Sequence, residues 1–351
     1  MKRSSIALLT FAVLVVAAGA WWLFWPRISL PANPLAAIPA DAYGIARVKV
    51  DRVITSDAWK SLVAGRGEAR GIERVEVLCG FNPLARIREL VVFARPAPDH
   101  GVPRVAFTAR GDLRHAELLD CVKKITGGDA SALEREDVEG IPTFRSKQGG
   151  SLAAFVGRDG IIGGDAESVR AAIHAMLAHA PSLAEDAQLT ALYREVEQGS
   201  DVAVVSHWPD DVKPWLRSLV DVIGEDARRL EQLRALALNL TTSSGRITGG
   251  TVLVTAGDKE AAELVVIAQA AVARLLAIPG IGLTPAASVL RGVQMEARGA
   301  RATFAGSIRI GTVEALMDLA PALEARRPAV TRQVHAPAAE KARSEATDGG
   351  R

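Results

Sequence analysis

The sequence predicts an α+β protein: an N-terminal transmembrane helix followed by two similar modules of antiparallel sheet with helices packed on one face. Three observations lead there. One stretch is written twice, TARGDLRHAEL from Thr108 to Leu118 and TAGDKEAAEL from Thr255 to Leu264, sharing Thr-Ala, Gly-Asp and Ala-Glu-Leu landmarks. In both copies an alternating run (RVAFTARGD, GTVLVTAGD) leads into a helix-period segment. The third observation is an uncharged apolar run near the N-terminus, Ile6 to Trp25, long enough to cross a bilayer core of about 30 Å.

Composition narrows the function classes. A chain of 351 residues, 49% hydrophobic and 23% charged, can bury two ordinary cores. Net charge is only +2 with both signs mixed along the chain, so no phosphate-tracking surface is written and nucleic acid is not an expected partner. Aromatic residues make up 5%, against plentiful Ala, Val, Leu and Arg, which favours helices on sheets over a sandwich.

Residues 1–25 read as a signal-anchor helix inserted in the lipid bilayer. Lys2 and Arg3 precede the run, whose landmarks are Ile6 at its start and Trp21, Trp22 and Trp25 at its end, where tryptophans collect at headgroup level. Ala18-Gly19-Ala20 also offers a signal-peptidase site, so cleavage after Ala20 is the competing reading. The flanking charges put the N-terminus in the cytoplasm and the remainder outside, the topology of a single-pass bacterial inner-membrane protein with a periplasmic or extracytoplasmic C-terminal domain. Residues 26–39, with four prolines, read as a semi-extended stalk rising on the order of 40 Å. Residues 40–181 form the first module, 182–199 a helical connector, 200–324 the second module. The tail, 325–351, lacks Leu, Ile and Phe and reads as disordered.

The likeness of the halves extends beyond the quoted stretch. YGIARVKV from Tyr43 leads into a helix with Trp59 and Leu62, and SDVAVVSHW from Ser200 into one with Trp215 and Leu219. RIRELVVFA from Arg86 is echoed by QLRALALNL from Gln232, and each half closes on paired strands and a helix. Asp112 and Asp258 are placed to cap the helices that follow, with Glu117 and Glu263 on the outer face.

Chemistry-bearing motifs are sparse, and no cofactor, metal site or catalytic residue is assigned. His174 and His179, five apart on a predicted helix, lie about 140° apart, whereas zinc-binding pairs use a spacing of four. Ser206-His207 lacks the nucleophile elbow and an acidic partner. Gly160 to Val169 reads as a strand, a Gly-Gly pair that could offer amides to an anion, and a helix capped by Asp165; without a following basic residue it is read as a hairpin end. Glu134, Glu136, Asp137 and Glu139 lack calcium-loop spacing and read as a solvated loop. Asp210 and Asp211 read as helix-start residues, and Asn239-Leu240-Thr241 as a glycosylation pattern buried in a strand.

Cys79 and Cys121 are the two cysteines of the chain. Each falls on a predicted helix flanking adjacent strands, and a disulfide between them is expected if the domain lies in an oxidising compartment. VEVLCGFNPLARIRELVVF, from Val75 to Phe93, in a chain entered through IPADAY at Ile38, resembles a family of uncharacterised membrane-anchored exported bacterial proteins. That family usually reads Cys-Gly-Phe-Asp-Pro where this chain has Asn82. The resemblance implies an α+β domain of unknown function. The expected function is therefore non-enzymatic: a membrane-anchored envelope protein whose duplicated domain binds a ligand or another envelope protein. A periplasmic scaffold subunit of a membrane-spanning assembly and an enzyme with its site between the modules are the alternatives.

Overall fold

The computed structural model describes residues 28–63, 67–97, 103–125, 133–147, 150–208, 232–277, 282 and 284–315. In chain order the elements are β1 (Gly44–Lys49), α1 (Val50–Thr55), α2 (Asp57–Leu62), α3 (Gly67–Cys79), α4 (Pro83–Arg86), β2 (Ile87–Arg95), β3 (Arg104–Gly111), α5 (His115–Ile125), β4 (Leu133–Val138), β5 (Ile141–Ser146), β6 (Ser151–Val156), β7 (Gly160–Asp165), α6 (Ala166–Met176) and α7 (Ala187–Glu197). They continue with β8 (Val202–His207), β9 (Leu233–Ser243), β10 (Arg246–Thr255), α8 (Asp258–Ala277), α9 (Pro285–Arg291), β11 (Gln294–Arg298) and β12 (Arg301–Arg309). Two compact units result: unit 1 comprises residues through Asp51 with Ile72–Arg194, and unit 2 comprises Arg52–Gly71 with residues from Glu195 on.

The strands form one twelve-stranded sheet in the order β11-β12-β10-β9-β8-β1-β2-β3-β7-β6-β5-β4. This corrects the expected fold class, an N-terminal transmembrane helix followed by two similar modules of antiparallel sheet: the strands belong to one large antiparallel sheet. An unpaired strand edge presents a row of N–H and C=O groups that favours further pairing, and no side-chain period encodes how far pairing continues. The duplication itself is plain in the order. Unit 1 contains β6-β7-β3-β2-β1 and unit 2 contains β11-β12-β10-β9-β8, the same five-strand arrangement, with the β4-β5 hairpin added in unit 1. In each, the strand carrying the repeated Thr-Ala landmark is flanked on both sides: β3 by β2 and β7, β10 by β9 and β12.

The expectation of helices on one face is also corrected. In unit 1, α6 packs on β3, β6 and β7, whose Leu152, Ala154, Val156 and Ile162 are all 2% exposed or less. Side chains alternate across a strand. Phe155 therefore projects from the opposite face, where its ring meets that of His115 in α5 at 4.3 Å between centroids. In unit 2, α8 closes a core of Leu233, Ala261, Leu264, Val265 and Ala302, with Phe304 and Met295 packed against it.

Close approach in β7 requires glycine. A Cβ on Gly164 (φ +134°) would lie 2.5 Å from the Ala106 Cα, and one on Gly163 would lie 2.7 Å from the Phe107 ring. Both positions are paired with β3. The Gly-Gly segment thus serves the sheet, and Asp165 caps α6 as expected, accepting from Ser168 N–H at 3.0 Å. Asp112 does not cap α5, which starts three residues later at His115. Asp258 is the first residue of α8.

Residues 28–38, read from sequence as part of a stalk, are packed. Pro34–Ala37 forms a 3-10 turn capped by Asn33, Leu35 and Ile38 are fully buried, and Arg110 donates to the carbonyls of Leu30 and Pro31 at 2.9 and 2.8 Å. Each buried aliphatic stabilises by about 1.5–3 kcal/mol relative to exposure, enough to outweigh the extended preference of the neighbouring prolines. The acidic run is a hairpin instead of a loop: Glu134, Glu136 and Asp137 lie in β4, and Glu139-Gly140, both at positive φ (55° and 78°), make the two-residue turn into β5.

The single-pass inner-membrane topology is corrected as well. Among the described residues no helix is long and apolar enough to cross a membrane. The longest of them, α8 with 20 residues, has its apolar positions interrupted by Asp258, Lys259, Glu260, Glu263 and Arg274. The expected anchor positions Ile6, Trp21, Trp22 and Trp25, and the tail 325–351, lie outside the described residues.

Cys79, the last residue of α3, is disulfide-bonded to Cys121 of α5, with Cα atoms 4.7 Å apart and 42 residues of separation. Asn82 caps the short α4, accepting from Leu84 N–H at 3.0 Å, a role an aspartate fills equally well.

Two predictions follow from these contacts. Gly164→Ala should cost about 2–5 kcal/mol in urea unfolding, because backbone overlap of about 1–3 kcal/mol adds to the penalty of its positive φ. Gly140→Ala, with open space around its Cβ, should cost only the left-handed penalty of about 1–2 kcal/mol; equal or reversed losses would remove the close-approach argument. Reducing the disulfide should lower stability by up to about 4 kcal/mol in the chain-entropy model. Alkylation of the denatured protein, read by mass, should add no groups before reduction and two after.

Candidate functional site

A cleft of about 720 Å³ opens in unit 1 between α5 and the β5-β6 part of the sheet. Its apolar wall is built by strand alternation. Phe144 pairs in register with Ala153, which shares a face with Phe155, and the two phenyl rings meet edge to face at 5.5 Å. Leu119, one turn along α5 from His115, faces the same space. Arg135, opposite Phe144 across the β4-β5 pair, comes to the cleft by register. Arg158 and Asp159 arrive from the β6-β7 turn, and Ile28 and Ser29 from the N-terminal segment.

His115 is the polar centre of the cleft. Its Nε2 is buried without a hydrogen-bond partner. Burial lowers its pKa below the ordinary 6.5, while a backbone hydrogen bond at Gly160 and the charge of Asp159 act in the other direction. The net result is a ring that favours the neutral form, with one nitrogen enclosed and unpartnered. Asp159 is 3.7 Å from Arg88. Ser29 also lines the cleft, and Nε2 accepts from no hydroxyl. Outside the cleft, Glu117 is held by Arg86 and Arg114, and the Arg86 hydrogen bond is the main cause of its lowered pKa.

The structure does bring His174 and His179 together. Their rings lie at 6.4 Å, and Glu139 is 3.9 Å from His174 Nε2 and 3.8 Å from His179 Nδ1. The helical-wheel angle fails because α6 ends at Met176 and Ala178 adopts positive φ (57°), folding His179 back so that its N–H donates to the His174 carbonyl. Among the described residues no group of three His, Cys, Asp or Glu could hold a metal. Ser206 accepts from Trp208 Nε1 at 3.0 Å, and His207 Nδ1 is buried without a partner. Asn239 accepts from Gly250 N–H at 2.8 Å and belongs to the β9-β10 ladder. Asp210 and Asp211 lie outside the described residues.

A smaller apolar cavity of about 160 Å³ lies in unit 2, lined by Trp59, Val63, Leu240 and Ile247. At its edge the buried Asp201 carboxylate accepts from Thr242 N–H and Oγ1, both at 2.7 Å, with Arg52 at 3.8 Å. These bonds are satisfied, which makes Asp201 a structural group.

Sequence reasoning missed the 720 Å³ cleft because its residues come from five separate segments. One signal was present. In the repeated stretch His115 aligns with Ala261, so the only imidazole of that motif stands in one copy.

No family model matches the chain, and no curated protein matches it. Among solved structures it is similar to crystal form III of TP0453, with 11% identity, TM-score 0.45 and coverage of 82% of this chain and 98% of that one. Crystal form IV of TP0453 gives 14% identity, TM-score 0.45 and coverage of 85% and 99%.

The lowered pKa of His115 has a definite sign. Below 6.5 the unfolded chain takes up a proton that the folded one resists, so the stability contributed by the neutral ring is complete above 6.5 and declines as pH falls below it. His115→Gln should remove this part of the acid-side decline. Melting curves from about pH 7.5 to about pH 5 should show the gap between wild type and variant changing below 6.5 in favour of the variant. Parallel curves would refute the assignment.

Proposed function

We propose that the chain is a ligand-binding protein, and that the cleft of unit 1 takes a small molecule with an apolar body and an acidic group. One observation carries the reading: an open cleft of about 720 Å³ joins two phenyl rings, an imidazole nitrogen without a partner and two arginines. That volume falls in the range of about 300–1,000 Å³ typical of small-molecule sites, which combine apolar walls with a few convergent polar groups. Phe144 and Phe155 offer faces and edges for stacking, Arg135 and Arg158 offer paired donors to a carboxylate or sulfonate, and the His115 ring extends the aromatic wall beside Phe155. Binding is preferred over self-assembly through the sheet. Its end strands carry charge, Glu134 and Asp137 on β4 and Glu296 and Arg298 on β11, and such edges resist further pairing.

The test uses 8-anilinonaphthalene-1-sulfonate, which has an aromatic body and one acidic group. Fluorescence titration of the full chain should give one saturable site. Leu119→Trp, which fills the cleft, and Arg135→Gln with Arg158→Gln should each weaken it by about tenfold, equivalent to about 1.4 kcal/mol. Undiminished binding in both variants, with circular dichroism unchanged, would reject the cleft as the site.

A further inference from the structure

Arg246 opens β10 and Arg309 closes β12, and the register sets them directly opposite one another. Thr248 and Ser307 follow as the next pair on the same face. Like charges directly opposed across an antiparallel pair destabilise it unless something neutralises them. Both arginine side chains are exposed, and among the described residues no salt bridge joins a carboxylate to either guanidinium, whereas Arg298 is paired with Glu296 and Arg301 with Glu195. Around the two arginines lies a cavity of about 300 Å³, whose remaining wall includes Ser288, Gly292, Ser307 and the buried Thr312, with no acidic residue.

We infer that Arg246 and Arg309 form a binding site for a tetrahedral oxyanion of the phosphate or phosphomonoester class. Each guanidinium presents a rigid fork of N–H donors that matches two oxygens of such an anion, so one anion bridging both arginines satisfies the forks and cancels the repulsion between the strands. Hydroxyls at Ser307 and Thr312 supply donors at neutral charge. The cavity is larger than a bare phosphate fills, which favours an ester bearing a small organic group. The site lies in unit 2 and stands independently of the cleft described above.

Inorganic phosphate and glycerol 1-phosphate, titrated separately into the full chain at constant ionic strength, distinguish a free anion from an ester. Both should raise the melting temperature saturably, the ester at lower concentration. Arg246→Gln and Arg309→Gln should each raise the apparent Kd about tenfold, whereas Arg298→Gln, whose arginine is already paired, should leave it unchanged. In phosphate-free buffer at low salt, Arg246→Gln should melt higher than the wild type because the repulsion is gone. Titrations that do not saturate, affinities equal to wild type in both variants, or an equal loss in Arg298→Gln would overturn the site. A lower melting temperature for Arg246→Gln without ligand would also overturn it, since it would show that the protein itself neutralises the charge. If phosphate saturates and the ester does not, the ligand is the free anion.

Discussion

Backbone pairing along β3 and β10 is the constraint on which the remaining structure depends. Each of these strands hydrogen-bonds a sequence neighbour on one edge and a distant strand on the other, β7 for β3 and β12 for β10. The distant partner can be seated only after the intervening chain has run on and turned back. In unit 1 that excursion carries α5 and the strands β4, β5 and β6, and in unit 2 it carries α8, α9 and β11. The returning strand must approach closely, and Gly163 and Gly164 mark where unit 1 meets that requirement. The cleft follows from the same excursion, since α5, β5 and the β6-β7 turn are its products.

Much of this order was legible wherever the controlling physics is local. Alternating runs announce β3 and β10 because a half-buried strand has a period of two, and Asp165 announces the start of α6 because a short carboxylate caps amides three residues on. The cysteine pairing was legible for a different reason, as two residues in one chain admit a single bond. Illegible features are those decided by residues far apart. Nothing in the β4 sequence, with its Glu134, Glu136 and Asp137, distinguishes a solvated loop from a strand held by Arg145 and Arg170 through Glu136. Nor does the α5 sequence reveal which sheet face it covers, since one apolar stripe fits either.

The cleft illustrates why a site of this kind escapes motif reading. Its polar lining groups include an imidazole at a helix start, an arginine placed by hairpin register and another carried by a turn. None lies at a spacing that a sequence period would mark. Desolvation does the electrostatic work: the wall that buries His115 also favours its uncharged form, against the pull of Asp159.

The alignment of His115 with Ala261 bears on how such a protein changes over time. Ala261 is fully buried, and its methyl group completes the packing beneath α8. His115, which the sequence alignment sets against it but which is the first residue of α5 where Ala261 is the fourth of α8, is a polar ring with a nitrogen left unsatisfied, a liability of about 1–3 kcal/mol in a protein interior. A chain that writes its scaffold twice can keep a position for packing in one copy while the other copy varies there without loss of the fold. The asymmetry between an alanine and a histidine at one repeated sequence position is the residue-level mark of that freedom.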